Sequence, residues 1–131
     1  MSGAPVVVHT SDRTSETWPE DQVAERGDVS WKTLISAPAT PSDTLTLGVA
    51  RLAPGTSLRP HRHEQPELYY VLEGSGVVTV DGSSQVVGPD AAVFVPGNAR
   101  HCIACTGEVD LRFAYVFAVD SFEDVEYVFG S

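Results

Sequence analysis

From Trp31 onward the chain is a succession of short runs rich in Val, Thr, Leu and aromatic residues, separated at close intervals by turn residues. The runs are Trp31–Ser36, Thr44–Leu52, Ser57–His63, Glu67–Glu73, Gly76–Val80, Gln85–Val87, Ala92–Val95, His101–Cys105, Val109–Val119 and Phe122–Phe129. Pro54–Gly55, Gly74, Asp81–Gly82, Pro96–Gly97 and Thr106–Gly107 punctuate them. Asp81–Gly82, set between two Val-rich runs, predicts a two-residue hairpin. About ten short strands with little helix predict an all-β sandwich or barrel. Alternation along 111–119 places Leu111, Phe113, Tyr115, Phe117 and Val119 on one face and Arg112, Ala114, Val116 and Ala118 on the other. The aromatic face reads as core, part of which can line a pocket.

Residues 1–30 have a different texture. Ser, Thr, Asp and Glu dominate, and the one helical signal runs from Trp18 to Arg26, with Thr17 as its expected cap and Gly27 as its stop. The expected organisation is an N-terminal arm over 1–30 and a β-barrel over 31–131. At 131 residues with 42% hydrophobic content, the chain can furnish one packed core. A net charge of −10 excludes a surface able to neutralise nucleic-acid phosphates and disfavours an anionic membrane. No apolar run approaches the length of a membrane span, so a cytoplasmic protein is expected. Cys102 and Cys105 form a C-x-x-C within a predicted strand, which turns their side chains to opposite faces and sets them too far apart for a disulfide. They read as ordinary barrel residues, with Cys102 placed near the chemistry only because it follows His101.

The chemistry concentrates in three of the four histidines. His61 and His63, two apart on an extended chain, point the same way. Pro66 marks a break, Glu67 opens the next strand with Tyr69 on its face, and His101 opens another strand after the Pro96–Gly97–Asn98 turn. Three imidazoles and a carboxylate make a mixed nitrogen and oxygen site for one divalent transition metal ion: Fe, Mn, Ni, Co or Zn. His9, in the arm, has no such company.

The spacing of these residues resembles the cupin superfamily. Gly55, five residues, His61-x-His63, three residues, Glu67, six residues and Gly74 match the first cupin motif throughout. The second motif is present in altered form from Asp90 to His101, with Pro96 and His101 in place and Asp90 and Asn98 where glycines are usual. Asp and Asn tolerate the left-handed conformation that such turns need. The resemblance implies a single-domain jelly-roll barrel with His61, His63, Glu67 and His101 as metal ligands. A narrower resemblance, carried by Val29–Ser30–Trp31–Lys32, Glu67-x-Tyr69, Pro96–Gly97–Asn98–Ala99-x-His101 and Asp120-x-Phe122-x-x-Val125–Glu126–Tyr127, is to the small cupin lyases that cleave dimethylsulfoniopropionate. It implies Tyr69 as general base and Tyr127 as a pocket residue. Arg62 and Ala114 depart from the tyrosines usual in that family, which implies a different pocket lining.

A metal with this ligand set carries about one net positive charge by formal count and favours a small-molecule carboxylate substrate. With a sulfonium leaving group, loss of a proton to Tyr69 becomes a β-elimination, and Tyr115, Phe117 and Tyr127 offer rings to the cation. The same signature also resembles cupins that form nitrogen–nitrogen bonds in natural-product pathways. An iron-dependent dioxygenase and a non-catalytic metal- or ligand-binding module share the ligand set and stay open. A homodimer is expected, with the 1–30 arm contributing to the contact by covering a partner's edge strand.

Overall fold

The computed structural model describes residues 3–130. The arm carries a two-residue strand β1 (Glu16–Thr17), a 3₁₀ turn (Glu20–Gln22) and a single helical turn α1 (Val23–Arg26). The barrel strands follow as β2 (Val29–Ile35), β3 (Thr46–Leu52), β4 (Ser57–Arg62), β5 (Glu67–Glu73), β6 (Gly76–Val80), β7 (Ser83–Val87), β8 (Ala92–Val95), β9 (His101–Cys105), β10 (Leu111–Phe117) and β11 (Val128–Phe129). They form two antiparallel sheets, ordered β1-β2-β3-β10-β5-β8 and β11-β4-β9-β6-β7. The all-β barrel expected from the short punctuated runs is the fold observed.

Alternation decides what each strand buries. Leu111, Phe113, Tyr115 and Phe117 of β10 face inward, and the intervening residues face out. They meet Leu52, Val71, Val95 and Ile103 from four other strands in one core. Val119 lies beyond the end of β10. The turns follow the residues that tolerate left-handed backbone: Asp81 (φ 47°) and Gly82 (φ 84°) close the β6–β7 hairpin, while Asp90 (φ 72°) and Asn98 (φ 63°) serve where glycines were displaced.

Two expectations are corrected. Thr17 does not cap a helix, because it belongs to β1; Pro19 stands at the start of the 3₁₀ turn, and only four of the described residues are α-helical. Gly27 does end that turn, donating its N–H to the Val23 carbonyl at φ 107°. The run from Phe122 to Phe129 is not one strand. The Ser121 hydroxyl accepts from the Glu123 N–H and winds Phe122–Asp124 into a 3₁₀ turn, so that only Val128 and Phe129 pair with β4. Val29 lies in β2, and Glu16–Thr17 pair with Trp31 and Ser30. The arm is thus hydrogen-bonded to its own sheet.

Candidate metal centre

The histidines come from one sheet and the carboxylate from the other. His61 lies opposite His101 in the β4–β9 ladder, which sets their rings 4.1 Å apart. The ladder slips between Leu58 and His61, where Pro60 has no N–H to give, and this irregularity aims His61 into the barrel. His63 follows β4 and is held by the turn beneath it: Asn98 N–H donates to the His63 carbonyl at 2.8 Å. Gly97 is required in that turn, since a Cβ there would sit 2.4 Å from the Glu64 carbonyl oxygen. Glu67 opens β5 across the barrel. All four side chains are buried.

Each imidazole is locked by its other nitrogen. The Nδ1 atoms of His61, His63 and His101 lie 2.7, 2.8 and 2.8 Å from the carbonyl oxygens of Arg59, Gln65 and Ala99. A carbonyl only accepts, so each Nδ1 carries the proton and each Nε2 turns a lone pair inward. Burial, and the neighbouring His101, push the His61 pKa down to about 3, which keeps this ring neutral. One ring nitrogen from each of the three imidazoles lies within 4.8 Å of the others. Glu67 Oε1 stands 3.2 Å from His63 Nε2 and 3.4 Å from His101 Nε2. Four buried acceptors thus converge with no donor among them, and His61 Nε2 and His101 Nε2 have no hydrogen-bond partner. Such a cluster is repulsive by itself and is satisfied by a cation. The donor set fits a divalent transition metal, with the Nδ1–H to carbonyl bonds serving to orient the ligands.

Tyr69, the next inward residue of β5 after Glu67, is 2% exposed, and its hydroxyl has no hydrogen-bond partner. Burial, then the Glu67 charge, raise its pKa well above the usual phenol value. Tyr127 packs 5.2 Å from both the His61 and His63 rings, and burial raises its pKa likewise. Beside Glu67 lies a cavity of about 30 Å³, lined by Tyr69, Tyr127, Trp18, Trp31, Tyr115 and Phe122 among others. Trp18, Trp31 and Phe122 were not foreseen as pocket residues. Parity along β2, which buries Val29 and turns Trp31 inward with it, was the available signal for Trp31; an isolated tryptophan in a polar arm was the signal for Trp18. Phe117, expected at the pocket, instead stacks on Phe122 and sets its edge against His63. Arg62 and Ala114 face outward, so their departure from the lyase pattern leaves the cavity walls untouched. Cys102 and Cys105 are free thiols; Cys105 shares the buried face of β9 with His101, and Cys102 faces the other way. His9 is exposed in the arm.

Residues 48–118 match the cupin domain. The chain belongs to the cupin family. It is 47% identical over 103 residues to the dimethylsulfoniopropionate lyase DddW of Ruegeria pomeroyi, covering 79% of this chain and 67% of that protein. It is 32% identical over 108 residues to an oxalate-binding protein of Thermotoga maritima, covering 79% of this chain and 89% of that protein. Among solved structures, the polyketide cyclase RemF of Streptomyces resistomycificus superposes with a TM-score of 0.76 at 30% identity, covering 98% of this chain and 88% of that one. Among the described residues no helix of this cupin is long and apolar enough to cross a membrane.

Proposed function

We propose that this cupin is a metal-dependent lyase that removes a sulfonium group from a small carboxylate by β-elimination, with dimethylsulfoniopropionate as the reference substrate. The observation that carries the reading is the 47% identity to the lyase DddW, which spans the segments supplying His61, His63, Glu67, Tyr69 and His101. These three histidines and Glu67 would hold Fe, Mn, Ni, Co or Zn. Once bound, such an ion supplies Lewis acidity toward a substrate carboxylate and acidifies the adjacent carbon.

The chain's own residues do the rest. Tyr69, as phenolate, takes the proton from the carbon beside the carboxylate. The released electron pair forms the carbon–carbon double bond, the carbon–sulfur bond breaks, and its electrons leave on a neutral sulfide, with acrylate as co-product. In the metal-free barrel, burial and Glu67 hold Tyr69 protonated, so its ionisation depends on a positive charge in the ligand cluster. Tyr127 walls the centre and keeps water from it. The faces of Trp18, Trp31, Tyr115 and Phe122 suit a cationic sulfonium, each worth about 0.5–2 kcal/mol when desolvated. A cavity of about 30 Å³ holds roughly a water molecule. Substrate entry therefore displaces Trp18 or Tyr127, which lie outside the main barrel strands.

A second reading, binding of a small carboxylate without turnover, draws on the likeness to the oxalate-binding protein. Acrylate release from dimethylsulfoniopropionate, measured with each of the five metals with and without oxygen, tests the proposal. Turnover without oxygen supports it. A strict oxygen requirement would mark a dioxygenase, and turnover confined to amine or hydroxylamine substrates would mark nitrogen–nitrogen bond chemistry. No turnover, with thermal stabilisation by oxalate, would mark the binding module.

A further inference from the structure

Tyr115 lines the cavity beside Glu67, is 5% exposed, and its hydroxyl has no hydrogen-bond partner. A buried hydroxyl left unpaired is the exception in a native fold. The strand register shows where this one is aimed. Tyr69, Tyr115, Gly48 and Thr33 form one row across β5, β10, β3 and β2. Gly48 keeps the row open in the middle, because a Cβ there would fall on the Tyr115 hydroxyl. The hydroxyl thus crosses β3 and comes to the Thr33 side chain, just short of a formed hydrogen bond. The Thr33 hydroxyl in turn donates to Glu16 Oε2 at 3.2 Å. Glu16 belongs to the arm strand β1, where it lies opposite Trp31.

The direction of this line of hydroxyls is fixed at its outer end. A carboxylate only accepts, so the Thr33 proton points to Glu16 and the Thr33 oxygen is left to accept. It offers the Tyr115 proton an acceptor, and the Tyr115 oxygen then presents its lone pairs to the cavity. Burial raises the Tyr115 pKa above the ordinary phenol value, so the group stays a neutral dipole. Each bond in such a chain polarises the next. Among the described residues Glu16 makes no ion pair, and Arg13 spends its guanidinium on the Thr33 and Leu34 carbonyls at 3.1 and 3.4 Å.

We propose that Tyr115, oriented by Thr33 and Glu16, selects a positive charge at the end of the substrate remote from its carboxylate. Tyr115 is the specificity residue that meets the substrate, while Thr33 and Glu16 are positioning residues that act through it. The inference rests on the reading of the metal centre as the seat of a small carboxylate, and it adds a requirement that the metal ligands do not impose. A zwitterion is favoured over a neutral-ended acid of the same shape. A dicarboxylate is disfavoured, because its second charge would meet the Tyr115 lone pairs.

Isothermal titration calorimetry of the full, metal-loaded chain separates charge from shape. The probes are the trimethylammonium betaine of β-alanine and the acid in which its quaternary nitrogen is replaced by carbon. Wild type should bind the betaine at least about 10-fold more tightly than the carbon isostere. Glu16→Gln removes an exposed, solvent-screened charge and should reduce that preference about 3–10-fold, as should Thr33→Val. The double variant should lose no more than either single change, because both break one chain. Tyr115→Phe should remove most of the preference. Affinity for the carbon isostere should stay within about twofold of wild type in the Glu16 and Thr33 variants. Variants that weaken both ligands alike would reveal a structural defect and overturn the proposal, and so would a wild-type chain that does not prefer the cation. Preference for the betaine without acrylate release from dimethylsulfoniopropionate would remove the lyase reading and leave the role of Tyr115 standing.

Discussion

Removing the Tyr69 hydroxyl tests the proposed base more cleanly than any other single change. The ring packs 4.9 Å from Phe113 and 6.4 Å from His101, contacts that Tyr69→Phe preserves. The lost oxygen is buried and unpartnered, and such a group costs about 1–3 kcal/mol. The metal-free variant should therefore be at least as stable as wild type, with each kcal/mol gained raising Tm by about 3–5 °C in a domain of this size. Turnover should move the opposite way. A general base contributes about 10²–10⁴-fold, or about 3–5 kcal/mol of barrier. The assay pairs initial rates of acrylate release with elemental analysis of the same sample, because a disturbed Glu67 would mimic a missing base. Stability is read by thermal melting after chelation. A tyrosine that merely fills space would show a modest loss spread between KM and stability. Full metal content with turnover within about threefold of wild type would refute Tyr69 as the base.

Other perturbations probe the ligands, the cage and the arm. Replacing both His61 and His63 with Ala should abolish metal binding by elemental analysis while circular dichroism still reports a folded barrel; full occupancy in that variant would remove the metal assignment. Trp31→Leu keeps an apolar side chain on the inner face of β2 but deletes the ring, so KM for a sulfonium substrate should rise about 5–30-fold, from about 1–2 kcal/mol of lost cation–π contact, with kcat nearly unchanged; an unaltered KM would argue against the aromatic cage. Gly27→Ala places a Cβ 1.9 Å from the Ser57 carbonyl oxygen at φ 107°, which the backbone cannot accommodate in place. It should lower stability by about 2 kcal/mol or more and shift tryptophan emission to the red as Trp18 leaves the barrel; an unshifted spectrum would show that the arm does not depend on this close approach.

What the sequence made legible, and what it hid, divides along the range of the interaction. Strands β5, β6, β8 and β9 were readable to the residue because both their apolar alternation and the turns that bound them are local. The convergence of His61, His63, Glu67 and His101 was readable because motif spacing encodes which strands lie side by side. The tail misled for a local reason as well: Phe122, Val125, Tyr127 and Phe129 look like a strand, but the Ser121 hydroxyl captures the Glu123 N–H and diverts the chain. Part of the cavity wall, Trp18 above all, was hidden for a different cause. Trp18 meets Trp31, Tyr127 and Phe129 at 4.8, 5.5 and 5.7 Å, a cluster drawn from both ends of the chain whose meeting no local pattern records. Arg26 lies over the Trp18 and Phe129 rings at 4.7 and 4.8 Å, so a cation of the chain already engages this cluster. The same physics that would draw a sulfonium to these rings holds Arg26 of the arm against them. If these rings hold the substrate as proposed, substitutions in the arm should alter substrate affinity and the packing of the arm together.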